Sequence, residues 1–300
     1  MGLIPIRTAT LRPNVMLGFD IYLRISGKHL LYVKRVDNID DNRLNNLHQK
    51  NVREVFIGEQ DMATYLEFLS VSSNAALKEE NMPASMRAQI IGGQSKAVVE
   101  DMFANPENKD NYQKTQVAAA NQVALLLANP EALEQMIKIA NYDSTVYQHS
   151  VNVATIAIGL AVRLGAPVET CQIVGIGGLL HDIGRGADNE NADKTNEKYQ
   201  QHPRSGAGVL LGKKYISKDV LDIILMHEER IDGKGFPGGV KKLDQIFQVV
   251  GLANFYDRLV TLEGKNPHEA YDAIAAIQPL PYEAELIEGL KDVLVANKIY

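Results

Sequence analysis

The sequence predicts a mainly α-helical fold in which an all-helical bundle follows a small α/β domain. Alternating apolar and polar residues, typical of strands, occur only within about the first 60 positions. From Asp61 onward the apolar residues recur every three or four positions, as on helices. The 300 residues are 45% hydrophobic and 23% charged, which excludes wholesale disorder and allows one or two domains with a sizeable core.

The N-terminal region reads as strand–strand–helix–strand. Residues 19–25 alternate between apolar and polar side chains, which predicts a half-buried strand. A turn at 26–28 leads to a partner strand at 31–36. Residues 40–50 predict a short helix, and 52–57 predict a third strand.

A helical stripe begins at Met62, Tyr65, Leu66 and Leu69, and a polar break follows at 105–110. Pro130 suits the first turn of a helix. The predicted helices after the break cover 115–127, 131–140, 147–164, 220–226, 247–262 and 283–295. The third of these helices, 147–164, is mostly apolar or small and is expected to be a buried central helix. Residues 184–201 are polar and predict a loop between two motifs, in the position of a lid.

Charge and cysteine content exclude several classes of protein. The formal net charge of −6 is opposite to that of a protein gripping long nucleic acid, although a small anion in a local basic pocket is allowed. The single cysteine, Cys171, excludes an intrachain disulfide and a cysteine-cluster metal site. No segment approaches a membrane span and the N-terminus lacks a signal-peptide core, so we expect a cytoplasmic protein.

Four of the seven histidines lie in the helical half of the chain, near helix ends or in apolar helices. One histidine on an apolar face is usually a satisfied core residue. Four in one bundle favour a shared site, because bundles commonly build metal centres from facing helices. These four are His149, His181, His202 and His227, whereas His29, His48 and His268 are expected at the surface.

Two further features accompany these histidines. Asp182 follows His181 at the end of an apolar helix, where an unpaired carboxylate would be costly and a metal would offset the cost. An isolated His-Asp pair is common by chance. After His227 the chain runs into a glycine-rich loop at 233–239, which either approaches a ligand closely or is a turn stabilised by Asp232.

These motifs together resemble the HD-GYP branch of the HD phosphohydrolases. The resemblance rests on the order His149-Ser150, His181-Asp182, His202-Pro203 and then the segment 227–237, His-Glu-Glu-Arg-Ile-Asp-Gly-Lys-Gly-Phe-Pro. It implies an all-helical HD-type bundle with a metal centre that hydrolyses the bacterial second messenger cyclic di-GMP. The implied division is an accessory domain at 1–90, connecting helices at 91–140 and the metal domain at 141–300.

The family's site residues transfer position by position. The resemblance implies two divalent ions, with Fe preferred over Mn, and assigns Asp182 and Arg185 to catalysis. The implied metal ligands are His149, His181, Asp182, His202, His227, Glu228 and Asn254. Asp182 would bridge the ions. The implied substrate-binding residues are Arg185, Asp232, Gly233, Gly235, Phe236 and Lys265.

The chain also departs from the family's pattern. Glu228 and Asn254 replace a ligand histidine and a ligand aspartate, and Phe236 replaces the defining tyrosine. After Asp257 the family tends to continue with Ala-Leu-Thr and an Arg-Pro pair, whereas this chain reads Arg258-Leu-Val-Thr and then Lys265-Asn266-Pro267. Some relatives hold a third metal through a glutamate one helical turn before the first histidine. Thr145 occupies that position and is neutral, so we expect two ions.

Two functions of different classes are therefore expected from the sequence. The first is a slow phosphodiesterase that converts cyclic di-GMP to the linear dinucleotide or GMP. The second is a degenerate receptor that binds the nucleotide, or a signalling partner, through the 233–239 loop or the N-terminal domain. A purely structural helical domain would bind no stoichiometric metal.

Overall fold

The computed structural model describes residues 2–50, 52–79, 81–140, 145–185 and 196–300, without the side chains of 138–140. The chain divides into two compact units, Met1–Met82 and Pro83–Tyr300. The predicted fold class, a helical bundle preceded by a small α/β domain, is confirmed. The predicted domain boundary at residue 90 lies inside a helix of the second unit. Within the described residues, none of the helices has the length and apolar character needed to cross a membrane.

The first unit is built on a four-stranded antiparallel sheet with the order β1-β4-β2-β3. Its strands are β1 Leu3–Arg7, β2 Ile21–Ile25, β3 Lys28–Val33 and β4 Glu54–Gly58. The sequence did not predict β1. Pro5 lies within this strand, which is tolerated because β1 is at the edge of the sheet and pairs only with β4. Its partner lies about 50 positions away, beyond the reach of local sequence pattern.

Two helices, α1 Asp41–Gln49 and α2 Met62–Lys78, complete this unit. The carboxylate of Asp40 caps α1 by accepting a hydrogen bond of 2.8 Å from the backbone N–H of Arg43. The helix buries Leu44 and Leu47, the two residues that predicted it. The core beneath the sheet also contains Phe19, Ile21, Val33, Ile39, Val55 and Ile57.

The second unit is entirely helical in the part of it that the structure describes. Its helices are α3 Ala84–Ala104, α4 Lys109–Ala128, α5 Ala132–Ala140, α6 Val146–Arg163, α7 Val168–Leu180, α8 Glu197–Gln200, α9 His202–Leu210, α10 Lys218–Met226, α11 Gln245–Thr261, α12 Pro267–Ala275 and α13 Ala284–Ala296. Helix α4 begins six residues before its predicted start at 115. The side chain of Asn108 caps it there, accepting from the backbone N–H of Asp110 at 2.8 Å.

Helix α6 is the buried central helix that the sequence predicts. It packs against α7 and α11, and most of its residues are buried on every side. The contact with α7 is unusually close at Gly178, where a Cβ would lie 2.6 Å from the Cα of Ala154. Because both helices carry a histidine of the predicted site, this close approach determines how near those side chains come.

A short turn follows α7. Residues Ile183–Arg185 form a single 3-10 turn, which packs against α9 at Gly184. A Cβ on Gly184 would lie 2.1 Å from the carbonyl oxygen of His202, so only glycine fits there. The predicted lid at 184–201 falls largely on residues 186–195, which lie outside the described residues.

Candidate metal centre

Four helices and a turn bring the predicted residues to one buried place. His149 lies in the first turn of α6, and His181 and Asp182 directly follow the last residue of α7. His202 begins α9, and His227 directly follows α10. All five side chains are at most 5% exposed to solvent. The surface positions predicted for His29, His48 and His268 are confirmed, since all three are exposed.

The five side chains form two groups that share one carboxylate. His149, His181 and Asp182 make the first group, and Asp182, His202 and His227 make the second, each with ligand atoms within 4.8 Å of one another. Oδ1 of Asp182 lies 3.1 Å from Nε2 of His202, whereas Oδ2 lies 3.7 Å from Nε2 of His149. The two oxygens of Asp182 therefore face different histidine pairs.

Each imidazole is oriented by a hydrogen bond from its Nδ1. His181, His202 and His227 donate to backbone carbonyl oxygens three residues earlier, at 2.7–2.8 Å. His149 donates to Oδ2 of Asp257 at 2.6 Å. Carbonyl and carboxylate oxygens only accept, so in the neutral form of each ring it is Nδ1 that carries the proton. The Nε2 atom of each neutral histidine then carries no proton and has a lone pair available.

These lone pairs face one another in a way that fits a bound cation. The Nε2 atoms of His149 and His181 are 3.2 Å apart, and those of His202 and His227 are 2.9 Å apart. Neither pair has a proton to share when both rings are neutral. Burial, reinforced by neighbouring histidines, lowers the pKa of His181 and of His227 to about 3. Protonation near neutral pH is therefore disfavoured, and a divalent metal satisfies the same atoms.

Helix α11 contributes two residues with different tasks. Oδ1 of Asn254 lies 3.1 Å from Nε2 of His149, beside the predicted metal position. Asp257 accepts from Nδ1 of His149 and, through its other oxygen, from the amide of Asn152 at 2.9 Å. Such a carboxylate behind a ligand histidine fixes the ring and increases its basicity. The sequence analysis gave Asp257 no role, although its position three residues after Asn254 places it on the same helix face.

Arg185 lies directly against the shared carboxylate. Its Nη1 donates to Oδ2 of Asp182 at 2.6 Å, and both side chains are at least 95% buried. Burial alone would raise the pKa of Asp182, but Arg185, His181 and His202 together hold it well below its usual range. Asp182 is therefore ionised, and the guanidinium of Arg185 is placed next to the candidate metal position.

Glu228 follows His227, and among the described residues it is not a member of either histidine group. Its Oε1 accepts from the hydroxyl of Tyr199 at 3.2 Å and lies 3.8 Å from Nη1 of Arg258. Arg258 also donates to the hydroxyl of Tyr199. Burial lowers the pKa of Arg258 to about 10, with Asp182 opposing and Arg185 reinforcing the shift, so it remains a cation at neutral pH. No motif in the sequence pointed to Tyr199.

The glycine-rich loop is held by its own acidic residues. Glu229 accepts from the backbone N–H of Gly238 and, at 2.9 Å, from that of Val240. Asp232 accepts from the backbone N–H of Lys234 at 2.9 Å, as expected if the loop is a turn that Asp232 stabilises. Gly233 has a φ of +76°, a conformation that favours glycine.

The same loop carries Gly235 and Phe236 to the edge of the site. A Cβ on Gly235 would lie 2.5 Å from the carbonyl oxygen of Glu228, so the loop passes very close to the end of α10. The ring of Phe236 lies 6.0 Å from that of Tyr199 and 6.1 Å from that of His202, between centroids. Lys265 is placed elsewhere, with its ammonium 3.9 Å from Glu263 in the segment after α11.

The chain is similar to proteins of one family. A family model described as HD domain matches residues 146–277. Cyclic di-GMP phosphodiesterase PA4108 of Pseudomonas aeruginosa is 29% identical over 245 residues, which are 73% of this chain and 58% of that protein. Ribonuclease Y 1 of Pediococcus pentosaceus is 32% identical over 144 residues, which are 46% of this chain and 25% of that protein. The chain thus spans little more than half of the first of these relatives and a quarter of the second.

A solved structure matches almost the whole chain. Bd1817, described as an HDG"Y"P protein from Bdellovibrio bacteriovorus, superposes with a TM-score of 0.87 at 31% identity. The match covers 98% of this chain and all of that one. Together with the HD domain match and the ordered motifs from His149 to Phe236, this likeness shows that the chain belongs to the HD-GYP family, as an atypical member with phenylalanine in place of the motif's tyrosine.

Proposed function

We propose that the protein is a metal-dependent phosphodiesterase that hydrolyses cyclic di-GMP to the linear dinucleotide or GMP. The observation that carries this proposal is the arrangement around Asp182, where four buried Nε2 lone pairs face one ionised carboxylate. Two divalent ions bound there would supply a Lewis acid for the phosphoryl group and activate a water molecule. The histidines and Asp182 hold the site, and the helices around it keep its geometry fixed.

The ligands divide into two sets around Asp182. His149, His181 and the amide oxygen of Asn254 would hold the first ion, and His202 and His227 would hold the second. Asp182 would contribute to both, because one of its oxygens faces each histidine set. Imidazole and carboxylate ligands without thiolate suit Fe and Mn, and we place Fe first. We expect two ions and not three, because Thr145 stands where some relatives have the glutamate that holds a third. Its neutral hydroxyl instead caps α6 by accepting from the backbone N–H of Gln148 at 3.3 Å.

Arg185 and the glycine-rich loop serve the substrate. The guanidinium of Arg185 lies beside Asp182 and offsets negative charge that develops on the phosphoryl oxygens. The loop from Gly233 to Gly239, with Phe236 facing His202, borders the space that the nucleotide would fill. Asp232 and Lys265 remain predicted substrate contacts, although the hydrogen bond described for Asp232 lies within the loop.

A cyclic dinucleotide is the substrate that the similarities favour over long RNA. The phosphodiesterase PA4108 matches 73% of this chain, whereas the ribonuclease matches only 46%. The net charge of −6 also disfavours a long polyanion. Both kinds of relative are named for cleaving phosphodiester bonds, so the reaction type rests on both and the substrate class on the first.

Turnover is expected to be slow. Phe236 offers no hydroxyl to the substrate, and Asn254 gives the first ion a neutral oxygen where a carboxylate would bind more strongly. The same two residues favour a second candidate function, a receptor that binds the cyclic dinucleotide or a signalling partner with little turnover. In that case the 233–239 loop or the N-terminal unit would present the bound state to the partner.

Hydrolysis followed by chromatography separates the candidates. Purified protein loaded with Fe²⁺ without oxygen, or with Mn²⁺, is mixed with cyclic di-GMP and, separately, with an RNA oligonucleotide. The enzyme predicts linear dinucleotide or GMP from the first substrate and no cleavage of the second. His181→Ala should abolish the reaction, whereas His268→Gln, an exposed histidine outside the cluster, should not. Binding of cyclic di-GMP without product would establish the receptor instead.

A further inference from the structure

Three side chains beside the metal centre form a connected unit that the proposed ligand set does not use. The hydroxyl of Tyr199 donates to Oε1 of Glu228 at 3.2 Å and accepts from Arg258. The side chains of Glu228 and Arg258 are 7% and 12% exposed, with 3.8 Å between the carboxylate and the guanidinium. One hydroxyl therefore joins a shielded anion to a shielded cation.

The charges at this place need each other. A buried carboxylate without a counter-ion is costly, and Glu228 stands next to the ligand His227 in the chain. Arg258 faces the opposite problem, because Arg185 is a second cation in the same neighbourhood. The two guanidinium groups lie 5.3 and 5.5 Å from the centre of the Tyr199 ring. Without Glu228, the guanidinium of Arg258 would add to the repulsion of divalent ions bound at Asp182.

The position of the carboxylate matters as much as its charge. Ligand atoms of His202, His227 and Asp182 cluster within 4.8 Å, and among the described residues Glu228 is not a member of that group. Its Oε1 is instead directed to Tyr199 and Arg258. Glu228 and Arg258 are also two of the positions at which the sequence departs from the family motif, and the structure places these departures in contact.

We propose that Glu228, Tyr199 and Arg258 form a charge-compensating relay, in which Glu228 is the counter-ion of Arg258 and not a metal ligand. Arg258 and Tyr199 are positioning residues that keep the carboxylate off the ions. The relay contributes no net charge, so the positive charge offered to an anionic substrate comes from the ions and Arg185. This inference rests on the metal pair proposed above, and its charge pairing is also testable without metal.

The test uses the full chain and four variants: Glu228→Gln, Arg258→Gln, the double variant and Tyr199→Phe. Manganese binding is measured by competition with a chelator, and metal content by elemental analysis. In Glu228→Gln an uncompensated guanidinium should weaken Mn²⁺ binding by about tenfold. In Arg258→Gln an uncompensated carboxylate should strengthen it. The double variant should return to within about threefold of wild type, with two ions bound.

A ligand role for Glu228 gives a different pattern. The double variant would then lose as much affinity as Glu228→Gln alone, and one ion would be missing in both. That result would overturn the relay. Tyr199→Phe keeps the ring and the backbone carbonyl that orients His202, so it tests the hydroxyl alone. When the Glu228 and Arg258 variants are repeated on a Tyr199→Phe background, the coupling between positions 228 and 258 should be smaller, whereas undiminished coupling would remove Tyr199 from the relay.

Melting of the chelator-treated protein tests the pairing independently of metal. If Glu228 and Arg258 stabilise each other, the double variant lowers the melting temperature by less than the sum of the single variants. Strict additivity would contradict the pairing. If the protein binds two Mn²⁺ ions but leaves cyclic di-GMP intact, the proposed activity is wrong. The relay is then still supported if the binding and melting experiments show the expected coupling. If wild type binds no metal, the proposed function fails and the melting experiment alone decides the relay.

Discussion

At the scale of single residues, the two sides of the His149 ring illustrate how the site divides its work. Asp257 accepts a hydrogen bond from Nδ1 at 2.6 Å and so fixes the ring and its tautomer. Asn254 faces Nε2 at 3.1 Å with a neutral oxygen. The group behind the ring is thus a carboxylate, whose hydrogen bond is charge-assisted, whereas the group beside the candidate ion is a neutral amide. Asn254 is therefore the residue at which we expect the first ion to be weakly held.

Replacing Asn254 with aspartate should strengthen metal binding. The change adds a negative ligand beside Nε2 of His149 with almost no change in volume, so we expect a gain of about tenfold or more in Mn²⁺ affinity and faster turnover. Chelator competition and initial rates measure the two effects. Gln113→Glu, on the exposed face of α4, adds the same charge away from the site and should change neither. If both quantities stay unchanged in Asn254→Asp, residue 254 is not a ligand.

At the scale of secondary structure, three of the four histidines stand at helix ends. His181 and His227 directly follow α7 and α10, and His202 opens α9. Their Nδ1 atoms bond to carbonyl oxygens three residues earlier, which lie in α7 for His181, in α10 for His227 and in the preceding helix α8 for His202. The geometry of the site consequently depends on how the helices pack and on the protonation of these buried rings.

Acid should destabilise the metal-free protein well above the pKa of its carboxylates. Burial lowers the pKa of His181 and His227 to about 3 in the folded state, against about 6.5 when unfolded. The unfolded chain therefore binds more protons between these values, and stability falls as pH decreases below 6.5. Each histidine contributes up to about 1.4 kcal/mol per pH unit.

Melting temperatures of chelator-treated protein between pH 7.5 and 4.5 provide the measurement. We expect a steady decrease below about pH 6.5, unchanged in His268→Gln because that ring is exposed. A flat profile down to pH 5 would mean that these histidines are not buried in neutral form. Added Mn²⁺ should raise the melting temperature most at neutral pH, since protons compete for the same Nε2 atoms at lower pH.

Glycine 178 should be essential for the packing of α7 on α6. A Cβ there would lie 2.6 Å from the backbone Cα of Ala154, so Gly178→Ala should cost about 1–3 kcal/mol and displace His181 from His149. Gly208→Ala is a matched control on α9, because a Cβ at that position meets nothing within 4 Å. The control should be neutral or stabilising by up to about 1 kcal/mol. Equal effects of the two substitutions in thermal melting would refute the close-packing argument.

At the scale of the whole molecule, the sequence predicted the fold class and the four histidines that meet, because each histidine belongs to a short motif that is visible in the local sequence. It did not predict Tyr199 or Asp257 as supports, since their contacts join side chains far apart in the chain, as from Asp257 to His149. The edge strand β1 was missed for the same reason, its pairing being with β4. Local pattern identifies elements and motifs, whereas side-chain partners depend on tertiary packing.

The helical unit should retain the metal centre without the first unit. Every residue of the proposed ligand set lies between His149 and Asn254, and the unit boundary falls at Pro83. A truncated chain of residues 83–300 is therefore expected to fold and to bind two ions per chain by elemental analysis. Full-length protein loaded in parallel is the reference. A folded but metal-free truncated chain would show that the N-terminal unit contributes to the centre.

Anomalous scattering at the metal edge, from crystals of the metal-loaded full chain, tests the central claim most directly. The account predicts two peaks, one bounded by His149, His181 and Asn254 and the other by His202 and His227. Asp182 should lie between them with one oxygen toward each. A single peak, or a third fully occupied peak beside Thr145, would contradict the two-ion centre bridged by Asp182.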